Sequence, residues 1–419
     1  MADIRPIKAL RYTDVAGTIS SNVCPPYDII SPEERDELIA GSPYNLVRLE
    51  KPEGENRYND AANLLESWLS KGVLGRDKEE GIYVYGEDFE VDGERYSLKG
   101  IICLCRLYPF SEGIVLPHEN TLSGAKADRF ELMKTTYCNF SSIYGLYVDE
   151  ERIIADEVRK AASQAPEQCF TDNEGVTHTL WRITDKNVLK LICDTMAPKQ
   201  VFIADGHHRY ETAVKFRDYL EERGECPANR DYVLMTLVDM DNDGLVILPT
   251  HRLIRDMEID KEKLLASLAD EFEIEEYPNV KLAPSILSRY ADRKAYGLYT
   301  GGEGFTLLVF KGQLPDVDDG GLSALDVSVL HDRILEQRLG IDKENMARQL
   351  NLRYTRLVSE AVESVTSGES TAAFILNPTK IGEIKSVSLS GGKMPQKSTY
   401  FYPKLKTGLV MNTIKEDRY

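Results

Sequence analysis

The order of apolar and polar positions along the 419-residue chain divides it into short helical and strand-like segments in mixed succession. In NDAANLLESWLSKG, Ala62, Leu65, Trp68 and Leu69 recur at helical spacing and the pattern stops at Gly72, which predicts one amphipathic helix. GIYVYGEDFEVDGERYSLKGIICLCRL follows with strand-like alternation on both sides of Asp92-Gly93. That dipeptide tolerates the positive φ angles of a tight hairpin turn, so a helix followed by a hairpin is expected. Upstream, the adjacent Pro25 and Pro26 require an extended loop, and Ser31-Pro32-Glu33-Glu34 has the order of an N-cap, a first-turn proline and acidic residues.

The middle of the chain reads as strand, turn and helix. KQVFIAD is a strand pattern, and RYETAVKFRDYLEERG offers Tyr210, Ala213, Val214 and Leu220 as a buried stripe that stops at Gly224. DYVLMTLVDMDNDGLVILPTHRLI then reads as a hairpin turning at Asn242-Asp243-Gly244. From Ile259 onward the pattern restarts with a helix in DKEKLLASLADEF, a hairpin in KAYGLYTGGEGFTLLVF and a helix in LDVSVLHDRILEQRLG. The expected class is α+β (mixed α/β), in packed lobes spanning 1–110, 111–255 and 256–419, with no internal repeat and no low-complexity linker.

Composition narrows the partners. Hydrophobic residues make up 42% of the chain, enough for a substantial core. Lys and Arg number 51 against 69 Asp and Glu, a net charge of −18, which opposes sequence-independent binding to nucleic acid. The N-terminal stretch lacks the apolar core of a signal peptide and no apolar run is long enough to span a bilayer, so a cytoplasmic protein without membrane partners is expected. The seven cysteines are scattered and contain no C-x-x-C pair, so they are expected as reduced thiols, with Cys103 and Cys105 sharing one strand face in the core.

The densest polar chemistry is Asp205-Gly206-His207-His208-Arg209, directly after an apolar strand. A helix that starts there directs unpaired N–H groups at whatever lies over the turn, Gly206 permits close approach, and Arg209 can fork onto phosphate oxygens. His207 and His208 project about 100° apart on a helix, so one is expected at the ligand and the other bracing the turn. The opposing reading makes Asp205 an N-cap and the following residues a solvated first turn. A second cluster, Pro117-His118-Glu119, could supply a carboxylate that takes a proton from an attacking hydroxyl, although the residues alone favour reading a lone Glu as surface charge. In ILPTHRLI, Thr250 and Arg252 share one strand face and His251 the other. SGGKMPQKSTYFYPK imitates a P-loop, but Gln396 stands where its second glycine belongs and strand-like aromatics follow; Lys393 and Lys397 remain as anion contacts. With no histidine or cysteine quartet, a dedicated zinc site is not expected. Mg2+ brought in by a nucleotide and held by a carboxylate is the more economical metal.

VFIADGHHRYETA, CPPYDIIS, PHENTLSGAKADRFELMK, ILPTHRLI, LDVSVLHDRIL and MPQKSTYFYPKLKTGLV together resemble the bacterial and archaeal domain of unknown function 1015 family. The pairing of Pro-His-Glu with Asp-Gly-His-His-Arg is also similar to the free-serine kinases of the ParB/sulfiredoxin superfamily. That resemblance implies a ParB/sulfiredoxin-like central lobe with N- and C-terminal lobes packed around it. It implies Glu119, Asp205 and His207 as catalytic residues and Gly206, His207, His208, Arg209, His118, Arg252 and Lys397 around a bound ADP or ATP. Asp205 is then the Mg2+ ligand, and the acceptor is a small hydroxylated molecule such as free L-serine. The same superfamily leaves open a nucleotide-binding switch or scaffold that hydrolyses slowly or not at all, and the oligomeric state is not expressed in these motifs.

Overall fold

Asp92 and Gly93 both adopt left-handed backbone, with φ of 52° and 83°, and this turn joins the two long strands at the centre of the larger sheet, Ile82–Val91 and Glu94–Arg106. Their antiparallel ladder runs from Val91↔Glu94 to Tyr83↔Ile102. The sheet has nine strands, in the order Val115–Leu116, Val201–Asp205, Ile143–Tyr147, Tyr232–Asp239, Glu94–Arg106, Ile82–Val91, Thr177–Ile183 and Gln168–Thr171, with Ile4–Arg5 also paired to Glu94–Arg106. It mixes parallel and antiparallel pairs: Tyr232–Asp239 runs parallel to Ile143–Tyr147 and antiparallel to Glu94–Arg106. Ile101, Cys103 and Cys105 are buried with Tyr210, Ala213, Phe216 and Leu220 of the helix His207–Glu222 in one apolar cluster. Large apolar side chains such as Ile101, Phe216 and Leu220 each contribute roughly 1.5–3 kcal/mol on burial, so packing, more than intrinsic propensity, holds this helix. Val214 sits at the edge of that cluster, only partly buried.

In this computed structural model, residues 2–121, 123–313 and 318–415 are described. The chain divides into two units: residues 1–117, 121–245 and 403–419 form the first, and 118–120 with 246–402 form the second. The expected division near residue 110 runs through the nine-stranded sheet. The segment 251–254, expected in the middle lobe, belongs to the second unit's sheet.

In the first unit, the helix Arg57–Ser70 buries Ala61, Leu65 and Trp68, so its inner edge passes through Ala61 and not the expected Ala62. The reason is spacing: positions 61, 65 and 68 follow one helical face onto Tyr12 and Leu46, with which Trp68 clusters. Ser31 caps the helix Pro32–Gly41 through the N–H of Glu34, with proline at its start as expected.

The hairpin expected around Asn242-Asp243-Gly244 does not form. The turn exists, with Asn242 Oδ1 accepting from the Gly244 N–H at 2.9 Å, but Tyr232–Asp239 already has neighbours on both sides and offers no free edge. Val246–Ile247 pairs instead with Phe401–Tyr402. The second unit's main sheet is antiparallel throughout, in the order Phe272–Tyr277, Phe305–Phe310, Ala295–Tyr299, Ala372–Leu376, His251–Ile254 and Leu352–Thr355. It contains the expected 295–310 hairpin, and Asp260 caps the helix Lys261–Leu268 through the Lys263 N–H. The helix expected in LDVSVLHDRILEQRLG begins at Asp326 and passes into a π-helical turn over Leu330–Glu336. All seven cysteines are free thiols, with Cys103 and Cys105 buried. Among the described residues no helix is long and apolar enough to cross a membrane.

Candidate functional site

The strand Val201–Asp205 is buried up to Ala204, then Asp205 and Gly206 turn the chain directly into the helix His207–Glu222. Gly206 has φ 93° and ψ 26°, a conformation that side chains disfavour, and a Cβ at this position would stand 3.1 Å from the Arg209 guanidinium. The backbone therefore favours glycine here, and any side chain would also press on the arginine folded over it.

Both oxygens of Asp205 face cations. Oδ2 accepts from Arg209 Nη2 at 2.7 Å and Oδ1 from Lys404 Nζ at 3.0 Å. Burial works to raise the Asp205 carboxyl, but Lys404 and Arg209 outweigh it and hold the group well below the usual carboxylate range. Arg209 Nη1 donates to the Ser142 carbonyl at 2.5 Å, which fixes the plane of the guanidinium. Burial pulls the Arg209 pKa down, while Asp205, Asp28, Tyr27 and Glu50 more than compensate and raise it. His207 is turned into the protein at 5% exposure, and His208 is half-buried.

Behind Arg209 lies a buried polar group drawn from distant segments. Glu50, 2% exposed, accepts from Ser141 Oγ at 2.8 Å, and its carboxyl is pushed up by burial against the lowering pull of Arg129. Arg129 donates to the Glu50 carbonyl at 2.7 Å and stacks over Tyr27 at 4.1 Å. Glu50, Arg129, Ser141 and Arg209 border a cavity of about 30 Å3, room for water but not for a ligand.

Among the expected site residues, His118, Glu119, Arg252 and Lys397 belong to the second unit, and Asp205, Gly206, His207, His208 and Arg209 to the first. Glu119 Oε1 accepts from the Lys397 backbone N–H at 2.8 Å, and Met394 N–H donates to the His118 carbonyl at 2.6 Å. His118 is fully buried with Nε2 at 3.0 Å from Thr399 Oγ1, whereas the Lys397 side chain is exposed. Arg252 is 1% exposed; its Nε donates to His331 Nε2 at 3.4 Å and Nη1 to the Thr250 carbonyl, and Nη2 has no hydrogen-bond partner. Burial brings the Arg252 pKa down to about 10, against the opposing pull of Tyr354 and Glu119.

The expectation that Asp205 ligates Mg2+ does not fit this donor set, because both carboxylate oxygens are already paired with Arg209 and Lys404. Among the described residues no group of three or more His, Cys, Asp or Glu side chains is arranged to hold a metal.

The family model described as "Protein of unknown function (DUF1015)" matches residues 4–328. The chain belongs to this family. No curated protein matches this DUF1015 chain. Among solved structures, a free serine kinase variant in complex with ADP aligns with 71% of this chain and 89% of its own, at 14% identity and a TM-score of 0.37. A conserved hypothetical protein from Pyrococcus furiosus aligns over 71% and 93% at 16% identity and a TM-score of 0.34. SbnI with a C-terminal truncation, from Staphylococcus aureus, aligns over 75% and 90% at 11% identity and a TM-score of 0.35.

Sequence reasoning found the turn but missed Lys404, Glu50, Ser141, His331 and Tyr354. Lys404 was visible only as one of two lysines in the tail FYPKLK, with no local pattern to single it out.

Proposed function

We propose that the chain is a phosphotransferase that moves the terminal phosphoryl group of ADP or ATP to the hydroxyl of a small acceptor. The observation that carries the reading is the Asp205–Arg209 turn, where two cations, Lys404 and Arg209, converge on one carboxylate at a helix N-terminus. The nucleotide phosphates are assigned to this turn, with Gly206 permitting their approach and Arg209 and Lys404 stabilising charge on the transferring group. Half-buried His208 is assigned to the ligand and buried His207 to bracing the turn.

Glu119 is assigned as the base. It takes the proton of the acceptor hydroxyl, the acceptor oxygen bonds to the terminal phosphorus, and the P–O bond to the remaining nucleotide breaks, releasing AMP or ADP. Phosphorus NMR of purified protein with ADP or ATP, Mg2+ and a panel of hydroxylated acceptors including L-serine tests the reading. A new phosphomonoester resonance is expected. Tight nucleotide binding without acceptor-dependent product would favour a nucleotide-binding switch and contradict the kinase.

A further inference from the structure

The second unit contains a cavity of about 420 Å3, a size suited to a small ligand, with His331, Asp332, Tyr354, Lys393, Lys343 and Asn120 in its wall. Asn120 directly follows Glu119. His331 and Asp332 stand on the π-helical turn Leu330–Glu336, a distortion that recurs at functional sites because it re-aims side chains at the expense of regular hydrogen bonding.

Arg252 lies against this wall, its guanidinium 5.2 Å from the Tyr354 ring centre and its Nε on His331 Nε2. A guanidinium cannot lose its charge in practice, so a buried one calls for a bonded anion. Arg252 has none among the described residues: its bonded partners are a neutral carbonyl and an imidazole nitrogen, and Nη2 is unsatisfied at 1% exposure. The bond from Arg252 also sets the tautomer of His331. Because Nε2 accepts, the ring proton sits on Nδ1, and beside a fixed cation the ring stays neutral and donates from that atom. The Glu119 charge acts on Arg252 while its Oε1 accepts from the Lys397 N–H, and Asp319 in the wall accepts from the Gly321 and Ser323 N–H groups at 2.9 Å each.

We infer that this cavity binds a small carboxylate-bearing alcohol, its carboxylate held by the Arg252–His331 pair and its hydroxyl toward the Glu119–Asn120 end. The exposed Lys343 and Lys393 add positive charge at the rim, and the exposed Asp332 provides a place for an ammonium group where the ligand carries one. Binding of such a molecule stands without phosphoryl transfer; only its designation as the acceptor rests on the proposed function.

The test is calorimetric titration of the full chain, without nucleotide, with L-lactate, D-glycerate and L-serine and with the methyl ester of each. At least one acid is expected to bind saturably and at least tenfold more tightly than its ester. Arg252→Lys and His331→Phe are each expected to weaken that acid tenfold or more, and the His331 ring resonances of the wild type are expected to shift on binding. Should Arg252→Lys fail to fold, the His331→Phe titration and the ring shift decide. Binding by none of the acids, equal binding of acid and ester, or full affinity in a folded His331→Phe variant overturns the inference. Since nucleotide is absent, a failure of phosphoryl transfer cannot produce any of these results.

Discussion

Lys404 Nζ donates to Asp205 Oδ1 at 3.0 Å across 199 residues of sequence, and it completes the pairing of a carboxylate whose other oxygen is held by Arg209. Removing Lys404 leaves one of two charge-assisted bonds, so Lys404→Met is expected to cost roughly 1.5–3 kcal/mol. The pH dependence has a definite sign. A carboxyl held below its unfolded pKa of about 3.9 adds stability above that pH and loses it as pH falls toward the folded value. Lys404→Met raises the folded value, so its acid-unfolding midpoint, followed by circular dichroism, is expected at higher pH than the wild type.

Gly206 tests whether the turn itself matters. Gly206→Ala forces a Cβ into left-handed backbone, at about 1–2 kcal/mol, and displaces the Arg209 guanidinium 3.1 Å away. The melting temperature is expected to fall modestly, and ADP affinity, measured on the folded variant, to fall by tenfold or more.

How legible the site was depends on sequence distance. The strand Val201–Asp205, the helix after it and the Asp92-Gly93 hairpin are local patterns, each set by residues within a few positions, and they were readable. The 242–244 turn was readable too, but its strands were not, because partner choice depended on whether Tyr232–Asp239 had a free edge. Arg252 reads as a strand arginine until His331, 79 residues later, is seen beside it. Likewise Glu50 and Ser141 look like ordinary loop and helix-end residues, and only the fold joins them, 91 positions apart.

Glu119→Gln separates chemistry from architecture. The amide oxygen of glutamine can still accept from the Lys397 N–H, so the fold is expected to keep its melting temperature. General-base catalysis contributes typically 10²–10⁴-fold, and turnover in the phosphorus NMR assay is expected to drop by that order. Unchanged turnover would remove Glu119 from the mechanism.

A buried histidine gives a prediction independent of catalysis. His178 is 1% exposed, with Nε2 at 3.0 Å from Asp172 Oδ2 and Nδ1 at 2.7 Å from the Tyr85 hydroxyl. Burial works to lower its pKa, but Asp172 and Glu87 more than offset this and raise it. A raised folded pKa adds stability that is fully present below the unfolded value of about 6.5 and lost as pH rises through the folded value. Thermal melts are therefore expected to show a His178-dependent decline as pH rises above about 6.5, and that component is expected to vanish in His178→Gln.

The most direct measurement is calorimetric titration of ADP with Mg2+ into the wild type and into Arg209→Met and Arg209→Lys. One ADP per chain is predicted for the wild type, with affinity weakened about 10- to 100-fold in Arg209→Met, as expected for loss of charge-assisted bonds worth roughly 1.5–3 kcal/mol. Arg209→Lys is predicted to fall between, because it keeps the charge and loses the fork. No ADP binding, or equal affinity in all three folded proteins, would contradict the assignment of nucleotide phosphates to the Asp205–Arg209 turn.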